Sequence, residues 1–250
     1  MKELDDTVSI VTGAGSGIGR ESALRFAEEG AAVTVADVDA DGGHETVEMI
    51  EADGGEAMFV ETDVSDPAAV DEMVTDTVDA FGGLDAAHNN AGIFPEHKST
   101  VEHSHETWME VLEVNLVGIW NCLKAQIPAM LEDDGGAIVN TSSELGLAGH
   151  PGVSAYASSK HGIVGLSKTA AVEFAADGVR INAICPGLCD TALIEDSDPE
   201  AIQAAADAIP MGRMAQPEEV AAAAVWLCSG DASFITGAPI SVDGGHVADL

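Results

Sequence analysis

Tyr156 and Lys160 stand four residues apart in Tyr156-Ala157-Ser158-Ser159-Lys160. On a helix that spacing puts a phenol and an ammonium on one face. A phenol titrates near ~10 when unperturbed, and a neighbouring fixed cation stabilises the phenolate, drawing its pKa down towards the range of a general acid or base. An isolated Y-x-x-x-K is more often a surface helix carrying two unrelated side chains, so its surroundings decide. Upstream, Ala137-Ile138-Val139-Asn140-Thr141 is a short apolar run that reads as a buried strand, with Ser142-Ser143 at its carboxyl end. Strand end, loop and helix start would gather the Ser143 hydroxyl and the Tyr156 phenol into one crevice, where open parallel sheets bind their ligands.

A second constellation lies near the amino terminus. Val8-Ser9-Ile10-Val11-Thr12 reads as a strand and Gly13-Ala14-Gly15-Ser16-Gly17-Ile18-Gly19 follows at once, before a helix from about Arg20 to Glu29. Glycines let a backbone approach a pyrophosphate, and a helix amino terminus offers free N–H groups and the positive end of its dipole. The spacing is T-G-x-x-x-G-x-G and departs from G-x-G-x-x-G. Taken alone, a glycine turn needs no ligand to explain it. Ala32-Val33-Thr34-Val35-Ala36 is a second strand, closed by Asp37. An acid there bonds adenosine ribose hydroxyls and repels a 2′-phosphate, favouring NAD over NADP. Neither Ser16 nor Val38 supplies a positive charge to oppose that.

The elements that position these residues alternate. A strand over 57–61 leads to a helix from Pro67 to Phe81, with proline at its start. Asp63-Val64 either meets an adenine edge or caps that helix. Leu84 to Asn89 runs into the turn Asn90-Ala91-Gly92, where adjacent asparagines could simply hold turn geometry. A long helix is expected over about 107–131, and Asn115 inside it, among apolar neighbours, requires a partner. Val179 to Cys185 is a sixth strand, broken by Pro186-Gly187. Residues 188–212 form a polar, Ala-rich segment suited to a substrate loop, with a short helix around 199–208. A helix from Pro217 to about Cys228 and a strand at Ile240-Ser241-Val242 close the chain.

Composition limits the function. The 250 residues are read as one α/β domain, 46% hydrophobic but only 4% aromatic, so Ala, Val and Ile must fill much of the core. With 44 Asp plus Glu against 9 Lys plus Arg, the formal net charge is −35. The acids are spread along the chain, in runs such as Glu132-Asp133-Asp134, which makes a solvated acidic surface adapted to salt. Few basic residues remain to neutralise phosphates, which disfavours nucleic acid. No run is apolar enough to span a bilayer and the first residues lack a signal peptide's apolar stretch, so a cytoplasmic protein without a membrane partner is expected. Cys122, Cys185, Cys189 and Cys228 form no C-x-x-C pair and should be reduced. His103-x-His105 lacks further ligands for a metal, and no metal site is expected.

Thr12-Gly13-x-x-x-Gly17-Ile18-Gly19, Asn89-Asn90-Ala91-Gly92, Asn115, Ser143, Tyr156-x-x-x-Lys160 and Pro186-Gly187-x-x-x-Thr191, in that order, make the sequence resemble the short-chain dehydrogenase/reductase enzymes over essentially its whole length. The resemblance implies a Rossmann-like, doubly wound fold with a seven-stranded parallel sheet and helices on both faces. It implies Tyr156 as general acid/base, Lys160 on the nicotinamide ribose, Ser143 on the substrate oxygen and Asn115 anchoring a water that links Lys160 to solvent. For the cofactor NAD it implies the glycine turn with Gly13, Ser16, Gly17, Ile18 and Gly19. It adds Asp37 at the ribose, Asp63 and Val64 at the adenine, Asn90, Ala91 and Gly92 at the centre, and Pro186, Gly187, Leu188, Cys189 and Thr191 at the carboxamide. Glu144, Leu145, His150, Val153, Leu188 and Leu193 would line the substrate pocket with Ser143 and Tyr156. A homotetramer pairing through helices 107–131 and 154–176 is also implied. The expected reaction is hydride transfer between NAD and a secondary alcohol or sugar hydroxyl, or the matching ketone. Reduction of a 3-oxoacyl thioester and a dinucleotide-sensing regulator on the same fold are the alternatives.

Overall fold

A computed structural model describes residues 4–191 and 199–249. Seven strands form one parallel sheet in the order β3-β2-β1-β4-β5-β6-β7. They are β1 (Val8–Thr12), β2 (Ala32–Asp37), β3 (Glu56–Glu61), β4 (Ala86–Asn89), β5 (Gly136–Thr141), β6 (Val179–Pro186) and β7 (Pro239–Val242). Eight α-helices are described: α1 (Gly17–Glu28), α2 (Ala40–Ala52), α3 (Pro67–Phe81), α4 (His105–Leu112), α5 (Gly118–Glu132), α6 (Ser154–Phe174), α7 (Pro199–Ala208) and α8 (Pro217–Cys228). The expected Rossmann-like, doubly wound architecture is the one found.

Side chains alternate across a strand, and here each side meets its own layer of helices. Val11, Val33, Val35, Ala86, Val139 and Ile184 pack with Ala23 and Phe26 of α1 and Val220, Ala224 and Leu227 of α8. Ile10, Ala87, Ile138 and Ile181 point the other way, onto Val70 and Met73 of α3, Ile119, Leu123 and Ile127 of α5 and Ile163 of α6. Strands buried on both faces read as continuous apolar runs, as these do.

Three expectations are corrected. Helix α2 had no counterpart in the sequence reading, which gave no element between Asp37 and residue 57, and it contains Gly42-Gly43. Both glycines are demanded by packing: a Cβ on Gly43 would lie 2.1 Å from the Phe59 ring, and one on Gly42 2.8 Å from the Gly15 carbonyl oxygen. Helix α1 starts at Gly17, earlier than Arg20, so the last glycines of the turn form its first turn. The single helix expected over 107–131 is split into α4 and α5 by a π-helical turn at Glu113–Val117, which contains Asn115.

Candidate active site

The sheet order reverses between β1 and β4, and a crevice opens there at the carboxyl ends of the strands. The Thr12 hydroxyl accepts the N–H groups of Asn90 (3.0 Å) and Ala91 (3.2 Å), which fastens the turn after β4 to the end of β1. Gly13 and Gly17 have φ of +65° and +52°, and a Cβ on Gly13 would lie 2.8 Å from the Ala91 Cα. A Cβ on Gly19 would collide with the Gly13 carbonyl. Ser16, the residue before α1, makes no side-chain cap, so the N–H groups of the first turn are not taken by it. These bare, uncapped donors at a helix start are a fit for a phosphate. Thr191 lies over the turn, its Cγ2 being 3.3 Å from where a Cβ on Gly17 would stand. Asp37 closes β2, and its carboxylate accepts the N–H of Gly15 (2.8 Å) and of Asp39 (3.0 Å).

Beside this cradle, β5 ends at Thr141, and α6 returns over it. Lys160 is buried and its Nζ donates to the Thr141 carbonyl at 2.8 Å. The same Nζ stands 5.3 Å from the centre of the Tyr156 ring. The turn after β5 is pressed against α6: the Ser142 hydroxyl donates to the Lys160 carbonyl at 2.8 Å. Ser143 is buried, its Oγ accepts the Leu145 N–H at 3.1 Å, and its side chain hydrogen-bonds the Tyr156 phenol. Asn115 has the partner its burial demands. Its Oδ1 accepts from the Ile93 N–H at 2.8 Å, and its Nδ2 donates to the Ile93 carbonyl at 2.9 Å and the Ser159 hydroxyl at 3.4 Å. Both amide protons are thus engaged, and the π turn aims the side chain at the loop after β4. A Cβ on Gly92 would be 3.2 Å from the Asn115 Oδ1 and 3.7 Å from the Lys160 Nζ, so Asn115, Gly92 and Lys160 meet.

The protonation of the pair departs from the expectation that the cation draws the phenol down. Burial is the largest influence on Tyr156 and lifts its phenol from 10.0 to about 12; a hydrogen bond with Ser143 opposes that and the Glu144 carboxylate adds to it. Burial also lowers the Lys160 ammonium from 10.5 to about 8. Desolvation disfavours whichever form is charged, and here it is the largest influence on both groups.

The geometry therefore holds a phosphate-fitting turn, an acid closing β2 and a hydroxyl–phenol–amine group on one edge of a doubly wound sheet. A family model described as enoyl-(acyl carrier protein) reductase matches residues 13–246. The cyclohexanol dehydrogenase of Acinetobacter sp. (strain SE19) is 41% identical over 247 residues, covering 98% of this chain and 97% of that protein. The chain belongs to the short-chain dehydrogenase/reductase family. Among solved structures of similar proteins, levodione reductase superposes with a TM-score of 0.95 at 36% identity, covering 99% of this chain and 100% of that one. A 3-ketoacyl-(acyl-carrier-protein) reductase from Brucella melitensis complexed with NADH gives 0.92 at 33% identity, covering 98% and 99%.

In this family member the remaining expected residues are distributed as follows. The Asp63 carboxylate is occupied by the Ser65 N–H (2.9 Å) and hydroxyl (2.7 Å), and it is Asp66 that caps α3. Val64 packs under Gly118, and its carbonyl accepts from Asn121. Gly187 donates to the Val242 carbonyl, and Leu188 and Asp190 bond Ala215, so Pro186, Cys189 and their neighbours bridge towards the segment before α8. Leu188 lines a cavity of about 260 Å³ with Ile209, Met211 and Asp243. Val153 is fully buried at the start of α6, and His150 is exposed at the rim. Leu193 lies outside the described residues.

Several contributors escaped the sequence reading. Phe94 lies against the Tyr156 ring at 4.7 Å between centroids, with His97 next to it at 5.5 Å. His88 is buried in β4, its pKa is pushed down to about 3 by desolvation, and its Nε2 contacts the Thr141 hydroxyl at 2.8 Å. Thr141 therefore serves two groups, through its hydroxyl and through the carbonyl that holds Lys160. Under the site, Asn89, Gln126, Asn140 and Ser167 form a buried hydrogen-bonded ladder. The fit of a histidine to Glu144 across more than a hundred residues had no local signal at all. Among the described residues no group of three His, Cys, Asp or Glu could hold a metal ion, and no helix is long and apolar enough to cross a membrane.

Proposed function

We propose that this short-chain dehydrogenase transfers a hydride between NAD(H) and a secondary alcohol or sugar hydroxyl, or the matching ketone, with Tyr156 as general acid/base. The observation that carries the reading is the convergence of Ser143, Tyr156 and Lys160 beside the glycine turn, with Lys160 held by Thr141. The nicotinamide ring, when bound, supplies the hydride acceptor or donor. In oxidation the Tyr156 phenolate takes the hydroxyl proton, and in reduction the phenol gives it back. Ser143, whose Oγ already accepts from Leu145, donates its own proton to the substrate oxygen and holds it in both directions. Lys160 keeps a positive charge beside the phenol and reaches the ribose, while Asn115 fixes the loop from which Gly92 faces that amine.

NAD rather than NADP is supported by Asp37. Its carboxylate stands at the end of β2 beside the cradle, and a 2′-phosphate would be repelled by it. Arg20, which reaches the Gly15 carbonyl beside Asp37 (2.5 Å), is also committed to Glu45 (2.6 Å) and to Thr46 (3.1 Å). The similarity to a cyclohexanol dehydrogenase favours an alcohol. The similarity to a 3-ketoacyl-(acyl-carrier-protein) reductase supports the thioester as second reading. A homotetramer through α4, α5 and α6 fits the exposed Met109, Trp120 and Val172 on those helices.

Initial rates with NAD and NADP against cyclic alcohols, sugars and hydroxyacyl thioesters separate these readings. Replacing Tyr156 by Phe should lower turnover at least a thousandfold and leave NADH affinity within a few fold, because the ring remains and only the proton donor goes. Near-normal turnover by that variant would remove Tyr156 from the reaction.

A further inference from the structure

The residue after Ser143 is Glu144, only 14% of whose side chain is exposed. Its Oε2 receives the His246 Nδ1 at 2.8 Å and would stand 3.1 Å from a Cβ on Gly187. The carboxylate therefore lies between the Ser143 turn and the Pro186-Gly187 break, over the crevice that the catalytic group faces. His246 is itself held in place, since the Asp243 carboxylate accepts the N–H groups of Gly245 and Val247 at 3.0 Å each. Gly244 in the same turn accepts from the Met211 N–H at 3.2 Å. The second carboxylate oxygen, Oε1, has no hydrogen-bond partner among the described residues. Glu144 is also close enough to Tyr156 for its charge to act on the phenol.

An ionised carboxylate has two acceptor oxygens, and with Oε2 held by His246 the other is left for a ligand's hydroxyl. We propose that Glu144, oriented by His246, accepts a hydrogen bond from a second hydroxyl of the substrate, so that the preferred class is a vicinal diol or a sugar, cyclic forms included. The inference rests on the oxidoreductase reading of the same site and narrows it. A monohydroxy alcohol leaves Oε1 to water, and the 3-oxoacyl group of a thioester offers it only acceptors. A charge-assisted hydrogen bond made in a poorly solvated pocket is worth roughly a factor of ten to a hundred in affinity.

The test compares cis-1,2-cyclohexanediol with cyclohexanol. It uses kcat/KM with NAD and, separately, calorimetric binding of each compound to the enzyme saturated with NADH. The expected result is a preference for the diol of about tenfold or more, carried by KM and by binding, that Glu144→Leu abolishes and His246→Ala reduces. His246→Ala lies in a surface turn and keeps the comparison open should Glu144→Leu fail to fold. Equal binding of the two compounds by the wild type, or a preference that survives Glu144→Leu, overturns the proposal. Binding preference without any turnover upholds the recognition by Glu144 and overturns the oxidoreductase reading instead.

Discussion

Replacing Lys160 by Met should stabilise the protein at neutral pH while destroying its activity. The Lys160 pKa in the folded chain, about 8, lies below its ordinary value of 10.5. Between those two values the unfolded chain binds a proton that the folded chain does not. The penalty is therefore fully present below pH 8 and is relieved as pH rises towards 10.5. At 1.36 kcal/mol per pH unit the gap corresponds to about 3 kcal/mol. Lys160 is only 3% exposed, so solvent screening takes little from that figure. Met keeps the stem and its packing, but it leaves the Thr141 carbonyl without its donor, which costs about 1 kcal/mol. The net gain at pH 7 is about 2 kcal/mol, or roughly 4–8 °C in Tm for a chain of this size. At pH 10.5 the gain has vanished and the lost hydrogen bond remains, so the variant should melt slightly below the wild type. Tyr156 acts in the opposite sense, with its phenol raised to about 12: stability falls as pH climbs above 10 because the unfolded phenol ionises first. That loss is common to both proteins. Differential scanning fluorimetry of the two in molar KCl, in steps from pH 6.5 to 10.5, reads the crossing directly. A variant less stable at pH 7, or a Tm difference that does not change with pH, refutes the assignment of a strained buried ammonium.

Two further outcomes follow from charge. Asp37→Ala should relax discrimination against NADP by tenfold or more and weaken NAD, since the substitution removes a ribose acceptor, a repulsive charge and the anchor of the Gly15 N–H; comparison of kcat/KM for the two dinucleotides checks it, and a wild type that already prefers NADPH contradicts it. With a formal net charge of −35, Tm should climb steeply in KCl up to the molar range, because the Debye length shrinks from ~30 Å at ~0.01 M to ~3 Å at ~1 M. A Tm that stays flat between ~0.05 M and ~2 M KCl sinks the salt-adapted reading of the surface.

Much of the architecture was legible because both patterns that encode it are local. Apolar runs at Val8–Thr12 and Ala137–Thr141 fall in strands buried on both faces, and α7 covers the short helix expected around 199–208. What was illegible had non-local causes. Gly42-Gly43 sits inside α2 because Phe59 and the Gly15 carbonyl press on those positions, and no count of neighbours along the chain separates that from a turn. The π turn likewise depends on the loop after β4, whose Ile93 backbone pairs with Asn115. A mid-helix asparagine announced that some partner existed and could not say which.

The site divides the same way. The order of the glycine turn, Ser143, Tyr156 and Lys160 could be read directly, because each sits at a strand end or on one helix face. Phe94 and His246 reach the site from other elements, and His246 meets Glu144 across 102 positions of sequence, so only the closed fold brings them in. The protonation states were the deepest omission. Spacing predicts how close Lys160 comes to Tyr156, but the sign of the phenol's departure depends on how much water the fold removes from both. Attraction between the charges falls off slowly with distance, while desolvation acts on each group by itself and is nearly complete at Lys160. The phenol therefore rises to about 12 and the amine falls to about 8, each biased towards its neutral form. An amine at about 8 is still mostly protonated at pH 7, so the ammonium stays beside a neutral phenol.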